Sequence, residues 1–160
     1  MKNKIMCLAV FMLLVAGSAL PAVSQVRWMI GGRVGMSMVS AGGETSAGLQ
    51  IGPTLELIFH RNMAIVEGFN INTQNGTPIE WSNYFKYYIT RTRVEPYLDA
   101  GFSFWFVGAG PYLGIPFGGG VLFEISRNLY IPMDFQFGPI FFPGNNVFGV
   151  EVTSGIRYEF

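Results

Sequence analysis

The chain has 160 residues, with 10 Lys and Arg against 10 Asp and Glu; half of it is apolar, 16% is aromatic and only 12% is charged. Soluble domains devote roughly a quarter of their residues to charge, so this chain has little to show water, and no basic patch suits a nucleic-acid partner. From Gln25 onward no apolar run approaches the ~18 residues of a spanning helix, which leaves a closed barrel as the spanning structure that satisfies its own backbone.

Residues 1–24 read as a cleaved secretory signal. Lys2 and Lys4 form a positive start, residues 5–20 an apolar core, and Ala22-Val23-Ser24 a small-residue site before Gln25. The one cysteine, Cys7, lies inside that core and leaves with it. About 136 residues remain, 25–160, enough for one domain with no disulfide, thiol catalyst or thiolate metal site. Losing Lys2 and Lys4 leaves 8 basic residues against 10 acidic, a mildly acidic mature chain.

The remainder alternates apolar and polar residues with period two, the mark of a strand with two unlike faces. Residues 26–39 set Trp28, Ile30, Val34, Met36 and Met38 against Arg27, Arg33 and Ser37. Residues 47–59 set Leu49, Ile51, Leu55 and Leu57 against Gln50, Thr54 and Glu56, and end at the turn His60-Arg61-Asn62. Residues 63–73 resist assignment, because Glu67 shares the parity of Ile65, Phe69 and Ile71. Asn75-Gly76 then marks a turn. Residues 79–90 set Trp81, Phe85 and Tyr87 against Glu80, Tyr84, Lys86 and Tyr88, and residues 91–95 turn the chain back. Residues 96–107 set Leu98, Phe102, Phe104 and Phe106 against Tyr97, Asp99, Ser103 and Trp105. After a short tip at 108–111, residues 113–125 set Ile115, Phe117, Val121 and Phe123 against glycines and Glu124. Residues 129–141 set Met133, Phe135 and Phe137 against Asp134 and Gln136. The last run, 147–160, sets Phe148, Val150, Val152, Ile156, Tyr158 and Phe160 against Glu151, Thr153, Arg157 and Glu159.

These eight runs, without a helical stretch among them, predict an all-β fold: an eight-stranded antiparallel up-and-down transmembrane β-barrel. Charges and large apolar side chains take opposite parities in seven of the eight runs. Lys or Arg on a lipid face near the midplane costs about 2–4 kcal/mol, so the apolar parity faces lipid. The inverse, a soluble barrel, would have to pack rings such as Phe102, Phe104 and Phe106 into an interior too narrow for them. The turns at 60–62, 91–95 and 126–128 are short and contain arginine, which suits the periplasmic side; the opposite tips contain no Lys or Arg. Two aromatic girdles follow, Trp28, Phe59, Tyr87, Tyr158 and Phe160 toward one rim and Trp81, Phe106, Phe141 and Phe148 toward the other. Pro53, Pro116, Pro132 and Pro139 each delete a ladder donor, and bulges are expected at them.

The inward parity gathers Arg27, Arg33, Glu56, Glu80, Lys86, Asp99, Glu124, Asp134, Glu151, Arg157 and Glu159 in one narrow lumen. Such charges line a path for ions or fill the lumen as a paired plug. Eight-stranded interiors are filled by side chains and buried charges survive by pairing, so the plug is expected. The single histidine, His60, sits in a periplasmic turn, away from where a lipid-modifying enzyme would need a base, and gives neither triad nor metal cluster. No catalytic, cofactor or metal residues are assigned.

Over its whole mature length the sequence resembles the small outer-membrane β-barrel families, porin-like and of OmpA and OmpX type, as in Bacteroidetes-like short chains. The resemblance lies in Val94-Glu95-Pro96-Tyr97-Leu98-Asp99-Ala100-Gly101, in Gly118-Gly119-Gly120 with Asn128-Leu129 after it, and in Thr153-Ser154-Gly155-Ile156-Arg157-Tyr158-Glu159-Phe160. It implies a Gram-negative outer-membrane location, outer-membrane lipid as surroundings, and a last strand whose Ile156, Tyr158 and Phe160 are read by the barrel-assembly machinery. The resemblance specifies fold far better than activity; from the residues, with a filled lumen and His60 as the one histidine, the expected role is non-enzymatic, structural or interactive, with an unidentified envelope protein as partner. The alternatives are a narrow porin-like channel and a lipid-modifying envelope enzyme.

Overall fold

A computed structural model describes residues 26–160 except 75, 109 and 143. The expected signal at 1–24 lies outside the described residues. Nine strand segments follow one another: β1 (Arg27–Ala41), β2 (Glu44–His60), β3 (Met63–Asn72), β4 (Ile79–Tyr88), β5 (Val94–Val107), β6 (Gly110–Gly114), β7 (Phe117–Ser126), β8 (Leu129–Phe142) and β9 (Asn145–Glu159). All their pairings are antiparallel, and β9 returns to pair with β1 from Met29 opposite Glu159 to Ser40 opposite Phe148. The sheet therefore closes on itself.

The segments β6 and β7 occupy one place in the wall. Across β5, Gly114 faces Ser103 and Phe117 faces Ala100; across β8 they face Ile140 and Phe137. The register is continuous through the gap, so the wall has eight strands, as the alternation predicts. The interruption is Ile115-Pro116, where proline supplies no N–H. The wall holds there through Gly101 N–H to the Pro116 carbonyl at 2.9 Å and Ile115 N–H to the Pro139 carbonyl at 3.0 Å.

The bulges expected at the prolines are absent. Gly32 lies directly opposite Pro53, Leu122 opposite Pro132 and Pro139 opposite Phe148, all in unbroken register. A proline ring fits an extended backbone and removes one bond without inserting a residue. The register shifts instead at Ile58/His60 and Glu124/Ser126, beside two of the arginine-containing turns.

The two faces are inverted relative to a soluble protein. Outward Ile51 and Leu98 are 62% and 60% exposed, while inward Glu56, Lys86 and Arg33 are 0%, 1% and 4% exposed. The third strand resolves the same way: Ala64, Val66, Asn70 and Asn72 are buried in the lumen, and Glu67 is exposed with Ile65, Phe69 and Ile71. Its sequence was ambiguous because its one charge faces out.

Two apolar clusters lie at opposite ends of the lumen. Met29, Ile58, Ala64, Tyr88, Tyr97, Leu122 and Tyr130 pack together toward the arginine-containing turns. Trp105, Ile140 and Val147 pack at the other end, against Val39, Ala41, Tyr112 and Phe142. The tips there are tight, with positive φ at Gly42, Gly43, Gly108 and Gly144.

Candidate functional site

Between the two apolar clusters the lumen is a network of charged side chains. Its centre is Arg157 on β9, whose guanidinium lies 2.6 Å from Glu56 of β2 and 3.5 Å from Asp134 of β8. Lys86 on β4 is a second cation for Glu56, at 3.3 Å. The Tyr88 hydroxyl donates to Glu56 and the Tyr97 hydroxyl to Asp134. Thr153 adds a longer bond to Asp134, at 3.4 Å. The Lys86 ammonium also lies 3.8 Å from the centre of the Tyr97 ring, close enough for cation–π attraction.

Arg33 anchors a second group. It donates to Asn70 at 2.7 Å and Ser82 at 3.1 Å, and lies 3.6 Å from Glu80, which accepts from Asn70 at 2.7 Å. Two more carboxylates are held by amides alone, Glu151 by Gln50 at 3.2 Å and Asp99 by Gln136 at 3.3 Å. At the rim Arg27 pairs with Glu159 at 2.8 Å and Arg91 with Glu95 at 3.2 Å.

Inner-face glycines make room for these large side chains. A Cβ at Gly68 would lie 2.8 Å from the Ser82 hydroxyl and 2.9 Å from the Arg33 guanidinium. One at Gly120 would lie 2.6 Å from the Tyr97 hydroxyl. Thin wall positions thus stand opposite bulky inward ones, which is how a narrow barrel packs a filled interior.

Of the residues assigned to the lumen from sequence, Arg33, Glu56, Glu80, Lys86, Asp99, Asp134, Glu151 and Arg157 are buried there, with Glu159 at the rim. Arg27 is partly exposed at the rim. Glu124 is a correction: it is exposed beside the Ser126 turn and lies outside the network. There the strand shifts register before its end, and an inward parity at the barrel mouth leads into water. Glu95 falls in a turn by the alternation of the sequence, whereas it is buried at the start of β5. Tyr88 and Tyr97 were read as inward but not as the hydroxyl donors they are; their shared parity with Lys86 and Asp99 was the available signal.

Away from the rim the lumen holds three buried cations, Arg33, Lys86 and Arg157, against five buried carboxylates, Glu56, Glu80, Asp99, Asp134 and Glu151. Glu151, one of the two carboxylates held by an amide alone, lines a cavity in the half of the barrel toward the glycine tips, with Glu80, Ser103, Trp105 and Gln136. The cavity's usable volume of about 20 Å³ admits about one water molecule. His60 is exposed in its turn, and among the described residues no group of three or more His, Cys, Asp or Glu is placed to hold a metal ion.

No family model matches the sequence, and no curated protein matches it. Solved structures do. Neisserial surface protein A is similar over 83% of this chain and 97% of its own, with a TM-score of 0.71 and 14% identity. The N-terminal β-barrel domain of Pseudomonas aeruginosa OprF is similar over 85% of this chain and all of its own, with a TM-score of 0.62 and 10% identity. The outer membrane protein OprG from Pseudomonas aeruginosa is similar over 85% of this chain and 96% of its own, with a TM-score of 0.59 and 11% identity. The chain has the fold of the small outer-membrane β-barrels.

Proposed function

We propose that this chain is an integral outer-membrane protein whose lumen is a paired polar plug, and that its role in the envelope is structural or interactive and not enzymatic. The observation that carries this reading is the charge network around Arg157, enclosed between two apolar clusters. An ion crossing the lumen would have to displace buried salt bridges and then pass an apolar layer at each end, and both steps are costly. The exposed apolar belt and the barrel fold support the membrane location, with outer-membrane lipid as its surroundings. The ends of β9 and the chain suit recognition by the barrel-assembly machinery, since Ile156, Tyr158 and Phe160 are 58%, 46% and 71% exposed.

Cell fractionation tests the location: an outer-membrane band whose gel migration changes on boiling is expected, and a soluble periplasmic product would overturn it. Planar-bilayer recording of that folded band tests the plug, and a flat trace is expected. The cavity beside Glu80 and Glu151 favours one competing reading, a narrow cation path. Unitary currents that fall on Glu151→Gln would establish that path and overturn the plug.

A further inference from the structure

Each of the three turns at one end of the barrel carries an exposed arginine: Arg61 between β2 and β3, Arg93 between β4 and β5, and Arg127 between β7 and β8. Among the described residues none of these three is in an ion pair, unlike Arg27 and Arg91 at the same rim, which hold Glu159 and Glu95. The three turns adjoin one another. Tyr88, where β4 ends, donates its N–H to the Asn62 carbonyl at 2.8 Å, and Glu124 of β7 donates its N–H to the Arg93 carbonyl at 2.9 Å. The arginines therefore stand along one arc of the rim, and Glu124 is the one exposed acidic side chain beside them among the described residues. The tips at the other end contain no Lys or Arg.

Depth decides what such an arc meets. Arg61-Asn62 and Arg127-Asn128 are the whole of their connections, so these guanidiniums stand close to the last outward apolar side chains. Val94 and Ile125, each within two residues of an arginine of the arc, are 49% and 53% exposed on the outer face. In the membrane reading proposed above, on which this inference rests, the hydrocarbon ends near such residues, and the headgroup layer beyond is roughly 5–8 Å deep. A two-residue connection does not clear that layer, so the arc lies among lipid phosphates and not in the water past them. A guanidinium meets phosphate oxygens with two parallel N–H bonds, which an ammonium cannot do. Three unpaired cations against one exposed acid also favour a headgroup with net negative charge over a zwitterionic one. We infer that Arg61, Arg93 and Arg127 form a binding site for the phosphate groups of anionic phospholipids in the leaflet at that end of the barrel.

Tryptophan fluorescence in vesicles tests this, with brominated phosphatidylglycerol or brominated phosphatidylcholine as the quencher. Tyr87 faces outward beside Met63, within the arc. Tyr87→Trp, with Trp28→Phe and Trp81→Phe, makes that position the lipid-facing indole; native Trp81, with Trp28→Phe, reports the other end. Phosphatidylglycerol is expected to bind about fivefold more tightly than phosphatidylcholine beside Tyr87→Trp, the worth of about one basic residue at an anionic surface, and equally beside Trp81. Arg61→Gln, Arg93→Gln and Arg127→Gln together are expected to bring the ratio to about one while the heat-sensitive folded band persists. Each change alone is expected to lower it by a smaller step, so a triple variant that fails to fold leaves the test standing. The lipid site is overturned if the two lipids bind equally beside Tyr87→Trp, which would leave the arc to an anionic partner in the water beyond. It is also overturned if the Gln changes leave the ratio as it was, or if Trp81 shows the same preference. In each of those cases the barrel folded in vesicles keeps the membrane reading intact. A protein that stays soluble and never inserts overturns both.

Discussion

Arg157 bridges Glu56 and Asp134, so its loss takes the ion-pair partner from buried Asp134 and leaves Glu56 with Lys86 alone. Breaking a buried pair from one side costs about 3–5 kcal/mol. Arg157→Leu is expected to lose at least that in urea unfolding from lipid vesicles. Glu124→Gln, at an exposed site, is expected to stay within about 0.5 kcal/mol of the parent. Equal losses from the two variants would contradict the network as described. At this scale parity was a good guide to face and a poor one to depth. It placed Glu56, Lys86 and Arg157 on one inner surface, but it has no information on how far along the lumen each lies or where the mouth begins. Glu124 and Glu95 were misjudged for that reason, one at a strand end and one in a supposed turn. The tyrosine hydroxyls on Glu56 and Asp134 were also hidden, because they depend on which strands face each other across the lumen, and that is set by closure.

Between Gly114 and Phe117 the wall has proline on both sides of one junction, Pro116 in the gap and Pro139 opposite Ile115. With fewer donors there, the amides of Ile115, Phe117 and Ile140 are expected to exchange hydrogen faster than those of the continuous β1–β9 ladder. Uniform protection would show that the junction is no weak point. The last strand allows a second check. Phe160 contributes one backbone bond, to the Trp28 carbonyl at 3.0 Å, and is 71% exposed. Deleting it is expected to change the stability of refolded barrel by less than about 1 kcal/mol, yet to lower the yield of folded barrel in cells. Parallel losses in both assays would remove the assembly role. The strands themselves were legible because alternation survives in most of them. The proline geometry was not, since a missing donor can be met by a bulge or by a plain gap in the ladder, and sequence does not choose between them.

Across the whole molecule, the apolar exterior and polar interior are one decision made strand by strand, which is why composition and parity were enough to anticipate the barrel. Whether the lumen conducts depends on pairings among all eight wall strands, and parity alone left path and plug both open. The seam between β1 and β9 has a consequence in time. Arg27 and Glu159, joined in an ion pair across it, are 132 positions apart in the chain. The first strand meets its second neighbour only when the residues up to Glu159 are in place, and until then an apolar sheet stands with two unsatisfied edges. Without β9, both β1 and β8 are left with an open edge. Closure is thus among the last long-range contacts the chain can make, and the open sheet before it is the species most exposed to misassembly.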